Sequence, residues 1–209
     1  MSHYRRNAFL CFMLVLSAIA ITGCAQSTPG KEFFMIEASR PSGVVQTPSD
    51  AMLEVYLLNV DTAFASKNLI YRLGEFQYET DYYRQFLVAP GLMFTEKTRH
   101  WLADSGLFKQ VLPPGSQITP TYTLQGIVTT LYGDFTNASA PVAVVRIRYF
   151  LVQHAGEEGA IVFSQVYRAA QPISTRTAPA LIDAFSKDLT DVLTRLEEDL
   201  RKYLAKPSS

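Results

Sequence analysis

The sequence predicts an α+β domain: a mostly antiparallel sheet with a central helix and a long C-terminal amphipathic helix packed on one face. Three observations carry this. Segments 122–132, 142–153 and 160–168 are rich in β-branched and aromatic residues and are separated by turn-forming loops, which is how an antiparallel meander reads. Pro90 opens and Gly106 closes a stretch with helical punctuation. From Leu181 to Leu204, apolar residues recur every three or four positions with Asp, Lys, Arg and Glu between them. With 209 residues, 48% apolar and 18% charged, the chain suffices for one ordinary core and is short for two.

In chain order, residues 33–38 read as a short strand, and Leu53, Val55 and Leu57 alternate as strand residues do. Leu69, Tyr71 and Leu73 alternate again, and Phe76 with Tyr78 continues the pattern across a hairpin about Gly74-Glu75. Leu92, Met93, Trp101 and Leu102 give the helix from Pro90 to Ser105 a buried side. Leu107, Phe108 and Val111 suggest a strand stopped by Pro113-Pro114-Gly115. Within 142–153, Val145, Ile147, Tyr149 and Leu151 share one face, and Arg146 and Arg148 share the other. The terminal helix runs from Ala178 to Leu204, its apolar stripe suited to covering the sheet. Leu131-Tyr132-Gly133-Asp134-Phe135 reads as a strand end closing in a Gly-Asp turn.

Charge and motif content exclude several functions. Lys+Arg and Asp+Glu number 19 each, so no net field gathers nucleic acid. Neither a Gly-x-Ser-x-Gly elbow nor a phosphate loop occurs. Beyond the first 23 residues only His100 and His154 remain as histidines, at no metal-ligand spacing. No catalytic residue, metal site or cofactor is therefore expected, and the chain reads as a non-enzyme. A periplasmic hydrolase built on His100 or His154 is the least supported alternative.

The N-terminus carries the sharpest signal. Arg5 and Arg6 precede an apolar run from Ala8 to Ile21, and Ile21-Thr22-Gly23-Cys24 follows. Fourteen helical residues span about 21 Å against a hydrocarbon core of roughly 30 Å, so the run suits a signal peptide rather than a permanent span. The quartet resembles the bacterial lipobox, in which the cysteine is lipidated and becomes the first residue after cleavage. The resemblance assigns Ile21, Thr22 and Gly23 to peptidase recognition and the covalent lipid to Cys24. Cleavage removes Cys11, leaving Cys24 as the lipid site and the body without a free thiol. Ala25 stands where an aspartate commonly retains Gram-negative lipoproteins in the inner membrane, which favours the outer membrane by analogy. Residues 25–31 are small and polar, as in a tether.

Leu69-Ile70-Tyr71-Arg72-Leu73-Gly74, Tyr82-Tyr83-Arg84-Gln85-Phe86, Trp101-Leu102-x-x-Ser105-Gly106-Leu107-Phe108 and the terminal amphipathic helix occur in one order. That order resembles the auxiliary lipoproteins of ABC-type transport systems, and within them the PqiC-like group that accompanies MCE (mammalian cell entry) proteins in lipid traffic between membranes. The resemblance spans most of residues 33–204. With the lipobox reading and the tether composition it divides the chain into a signal peptide over 1–23, a lipidated tether over 24–32, a periplasmic auxiliary domain over 33–204 and a tail over 205–209. It also implies an MCE-domain partner with its permease and ATPase, and membrane attachment through the N-terminal lipid. Self-association stays open. Tyr82, Tyr83, Arg84 and Phe86 are the expected contact residues, since Tyr and Arg make large, orientable contacts; their alternative is an ordinary core role. A structural envelope lipoprotein that maintains membrane integrity is the alternative function.

Overall fold

The computed structural model describes residues 30–41, 49–155 and 158–205. Along them lie strands β1 (Glu32–Phe34), β2 (Ser49–Val55), β3 (Asn59–Val60), β4 (Asn68–Arg72) and β5 (Tyr78–Phe86), then helix α1 (Pro90–Asp104). Strands β6 (Phe108–Leu112), β7 (Tyr122–Asp134), β8 (Val142–Ala155) and β9 (Glu158–Pro172) follow, and helix α2 (Ala178–Leu204) ends the domain. The fold is α+β, with a sheet core, a shorter helix and a long C-terminal one.

Strand β7 organises the sheet. Its one edge carries the antiparallel meander: β7 pairs with β8 from Tyr122↔Gln153 to Asp134↔Val142, and β8 pairs with β9. Along its other edge, three short strands lie in succession, each parallel to β7. Leu53 of β2 stands opposite Tyr122, Asn59 of β3 opposite Ile127, and Tyr71 of β4 opposite Gly133. Parallel neighbours need a crossover connection, which the chain through α1 supplies. Beyond β4 the sheet continues to β5 and then to the short β1; beyond β2 it continues to β6. The longest ladders are antiparallel, and each parallel pair matches only a few residues.

Both helices cover one face. On β8, Val145, Ile147, Tyr149 and Leu151 are all fully buried, while Arg146 and Arg148 are exposed. Tyr149 lies beneath α1, where its hydroxyl is 2.9 Å from that of Thr98, and Tyr167 of β9 donates to Asp199 of α2 at 2.9 Å. The apolar stripe of α2, from Leu181 through Phe185, Leu189 and Leu196 to Leu200, is buried along its length. Thr177 caps this helix through its hydroxyl on the Ala180 N–H at 3.4 Å. Gly106, with φ 66°, ends α1 in the left-handed region that glycine enters without strain.

Two register details differ from the sequence reading. Leu57 is exposed and Leu58 is buried instead: the Leu58 N–H turns to the Thr95 hydroxyl at 2.8 Å, so the alternation changes phase after Val55. A side chain at position 126 would meet Leu58 Cγ at 2.9 Å, and glycine there lets Leu58 seat against the sheet. Leu92 is exposed, leaving the buried side of α1 to Met93, Phe94, Trp101 and Leu102.

A polar clamp joins the chain after β1 to α2. The buried Glu197 carboxylate accepts from Arg40 Nε and Nη2, each at 2.9 Å, and from Trp101 Nε1 at 2.8 Å. Arg201 donates to it from one turn later at 2.5 Å. Burial pushes the Glu197 carboxyl up, but Arg40, Trp101 and Arg201 outweigh that and hold it below its ordinary value. Removing the carboxylate strands a largely buried guanidinium and an indole N–H. Glu197→Ala is therefore expected to cost about 3 kcal/mol, read as a lower urea midpoint at unchanged slope.

Candidate functional site

The candidate contact residues lie on a distortion of β5. Between Asn68↔Gln85 and Ile70↔Thr80 the β4–β5 register shifts, because β5 spends extra residues in a bulge over Asp81 to Arg84. Asp81 pins the bulge. Its Oδ1 accepts from the backbone N–H groups of Tyr83 and Arg84, both at 3.0 Å. Its Oδ2 accepts from the Tyr71 hydroxyl at 3.0 Å and from Arg84 Nη1 at 3.3 Å. Burial raises the Asp81 carboxyl, but these donors prevail and hold it below its usual range. Burial and the Asp81 charge push the Tyr71 phenol up, so it stays a neutral donor.

The bulge decides which predicted residues face outward. Tyr82 is 64% exposed and Tyr83 38%, and their rings meet edge to face at 5.2 Å. Lys31 Nζ sits 4.5 Å above the Tyr82 ring. Arg84 is half-exposed and bridges the bulge to β1 through Glu32 at 3.3 Å. Phe86 corrects the sequence reading. It is 1% exposed and packs 6.4 Å from Phe185 of α2, because the strand re-enters the ladder at Gln85 and turns the next side chain into the core. The surface set is therefore Tyr82, Tyr83 and Arg84. Ile21, Thr22, Gly23 and Cys24 lie outside the described residues.

Beside the bulge opens a cleft of about 550 Å³ between Tyr71, Asp81, Arg84, Phe135, Arg176 and the first turn of α2. Tyr71 and Phe135 form one wall, ring to ring at 5.7 Å, and Arg176 lies 5.8 Å over Phe135. Asp134 ends β7 beside this wall, accepting from Arg72 Nη1 at 3.2 Å and from the Thr136 hydroxyl at 2.6 Å. The expected Gly-Asp turn does not form there: Gly133 and Asp134 stay in the ladder opposite Ala143 and Val142, and the chain turns only beyond Phe135. Sequence reasoning missed Tyr71, Asp81, Phe135 and Arg176 as neighbours. The one available signal was an aspartate inside an aromatic strand, a residue that favours local backbone bonds over a ladder.

The two histidines do not meet. His100 is exposed on α1 near Glu96, at 3.7 Å. His154 Nε2 lies 2.7 Å from the Thr123 hydroxyl beside a cleft that Glu54 also lines. Thr123 is 2% exposed, so that hydroxyl is spent within the fold. Among the described residues no group of three His, Cys, Asp or Glu side chains has metal-binding geometry.

No protein-family model matches the chain, and no curated protein matches it. Solved structures do resemble it. A Xanthomonas campestris protein described under the family DUF330 superposes with TM-score 0.69 and 19% identity, over 79% of this chain and 92% of that one. An uncharacterized protein gives TM-score 0.64 at 10% identity, over 82% and 99%. A hypothetical protein from Chlamydia trachomatis gives 0.52 at 8% identity, over 75% and 99%. At these identities the likeness is one of fold: the chain folds like the DUF330 structure from X. campestris.

Proposed function

We propose that the chain is a lipid-anchored auxiliary subunit of an MCE/ABC-type lipid transport system of the cell envelope, working through protein contacts. The observation that carries this is the sequence order: a lipobox-like quartet ending at Cys24, a short tether, and then the family-like segments from Leu69 to the terminal helix. The fold likeness to the DUF330 structure supports the reading at the level of architecture. Tyr82, Tyr83 and Arg84 suit a contact role, being exposed yet held by Asp81, so little ordering entropy is lost on binding. In this reading the lipid on Cys24 sets location, with the outer membrane favoured. The body performs no chemistry and holds no cofactor.

Affinity capture of the full-length lipidated protein, after mild crosslinking in its own host, is expected to recover an MCE subunit with its permease and ATPase. Tyr82→Ala with Tyr83→Ala is expected to cut that recovery about tenfold while leaving the melting temperature unchanged. A clean capture without those partners refutes the proposal. Recovery of only outer-membrane or cell-wall proteins points to a structural envelope role. Cys24→Ser is expected to leave the precursor uncleaved and unlabelled by fatty acid; undiminished lipid labelling of that variant would remove the anchor.

A further inference from the structure

The hairpin between β4 and β5 displays an apolar side chain that the fold does not use. Phe76 is 88% exposed at its tip, flanked by Leu73 at 39% and Tyr78 at 49%. The tip is held in place. The Leu73 N–H donates to Gln77 O at 2.9 Å, Arg72 bonds Asp134 at 3.2 Å, and Tyr78 meets Tyr132 edge to face at 5.7 Å. An exposed phenylalanine on a fixed turn is a different matter from scattered surface apolar residues.

The path of the N-terminal chain says what this tip faces. Strand β1 runs parallel to β5, with Glu32 opposite Arg84 and Phe34 opposite Phe86. The chain ahead of Glu32 therefore leaves toward the N-terminal end of β5, which is the hairpin end, and Lys31 already lies over Tyr82 in that direction. From Asn68, opposite Gln85, five residues of β4 lead to Leu73, a rise of about 17 Å. From Glu32 back to Cys24 the chain has eight residue steps, reaching at most about 29 Å. With a lipid on Cys24, the bilayer surface lies no more than about 29 Å from Glu32, a span longer than the rise to the hairpin tip. Helix α2 also begins at this end, beside the cleft lined by Asp81.

We infer that the β4–β5 hairpin tip, led by Phe76 with Leu73 and Tyr78, is a second membrane contact that seats in the interfacial layer of a zwitterionic phospholipid leaflet beside the lipidated Cys24. This rests on the lipid-anchor reading above. Aromatic rings favour the headgroup boundary, where the ring leaves water and any hydroxyl stays wet. Glu75 and Glu79 flank the tip, while Arg72 is engaged with Asp134, so the charge there disfavours an anionic surface. A single anchored residue leaves the body free to rotate; a second contact fixes which end faces the membrane.

The test places an indole at the tip. Full-length lipidated Phe76→Trp protein is reconstituted into vesicles of phosphatidylcholine and phosphatidylethanolamine, with or without phosphatidylcholine brominated on its acyl chains. Trp101 serves as the internal reference. It is 3% exposed and bonded to Glu197, and Glu197 lies about 28 Å along α2 from Ala178. Brominated lipid is expected to quench the added emission about twofold and leave wild-type emission unchanged. Replacing part of the lipid with phosphatidylglycerol is expected to reduce the quenching.

Mass spectrometry of Cys24 on the same vesicles separates the two ways to fail. Unquenched emission with Cys24 fully acylated overturns the tip contact and leaves the anchor standing. An unacylated Cys24 overturns the anchor and this inference with it. An added indole that is shielded from water yet unaffected by bromine shows that a protein covers the tip, which also overturns the membrane contact.

Discussion

Phe185→Asp is expected to destabilise the domain by about 5 kcal/mol, enough to unfold a typical domain at ambient temperature. The ring is 1% exposed in the second turn of α2, within its apolar stripe and 6.4 Å from Phe86. Two costs add. Removing the ring opens a cavity beneath α2, and the new carboxylate must either stay ionised among apolar neighbours or take up a proton. Thermal melting with urea titration checks this. A variant that melts with the wild type would show that α2 does not close the core.

The second large effect concerns Asp188, three residues further along the same helix. It is fully buried, and neither carboxylate oxygen has a hydrogen-bond partner in the structure. Burial pushes its carboxyl from an ordinary 3.8 up to about 8; the Gln171 backbone, near the carboxylate but short of hydrogen-bond geometry, and Arg168 oppose the shift only weakly, and Asp191 adds to it. The native state therefore binds a proton that the unfolded chain releases. Stability is highest at acid pH as far as this group is concerned and falls as pH rises from about 4 to about 8, levelling off above. Asp188→Asn, which carries no titrating proton, is expected to flatten that slope and to add about 3 kcal/mol at pH 8. Denaturant titrations of both proteins at pH 5 and pH 8 read it. Equal gains at the two pH values would refute the assignment to proton uptake.

The parts of the fold governed by local periodicity were legible in the sequence. The α2 stripe repeats at the helical period over many turns, and β8 alternates cleanly because one face meets the helices and the other meets solvent. What lay hidden was non-local. Nothing in the short runs of β2, β3 and β4 says that all three line up along one edge of β7, because parallel pairing is set by the crossover through α1 rather than by residue pattern. By sequence alone Phe86 belongs with Tyr82 and Tyr83 in one aromatic patch. The Asp81 bulge splits that patch, and such a bulge resets which face each later residue occupies. The cleft was equally hidden, since Tyr71, Asp81, Phe135 and Arg176 come from four separate parts of the chain.

The direction of β1 has a mechanical consequence. A pull on the chain ahead of Glu32 acts along the strand, so its hydrogen bonds to β5 are loaded together in shear rather than opened one at a time. Three residues of ladder are a weak hold, but the chain continues to Arg40, which grips Glu197 with two bonds. Tension that strips β1 from the sheet is thereby handed to the C-terminal half of the domain's longest helix, and the body is carried by its core rather than by its edge.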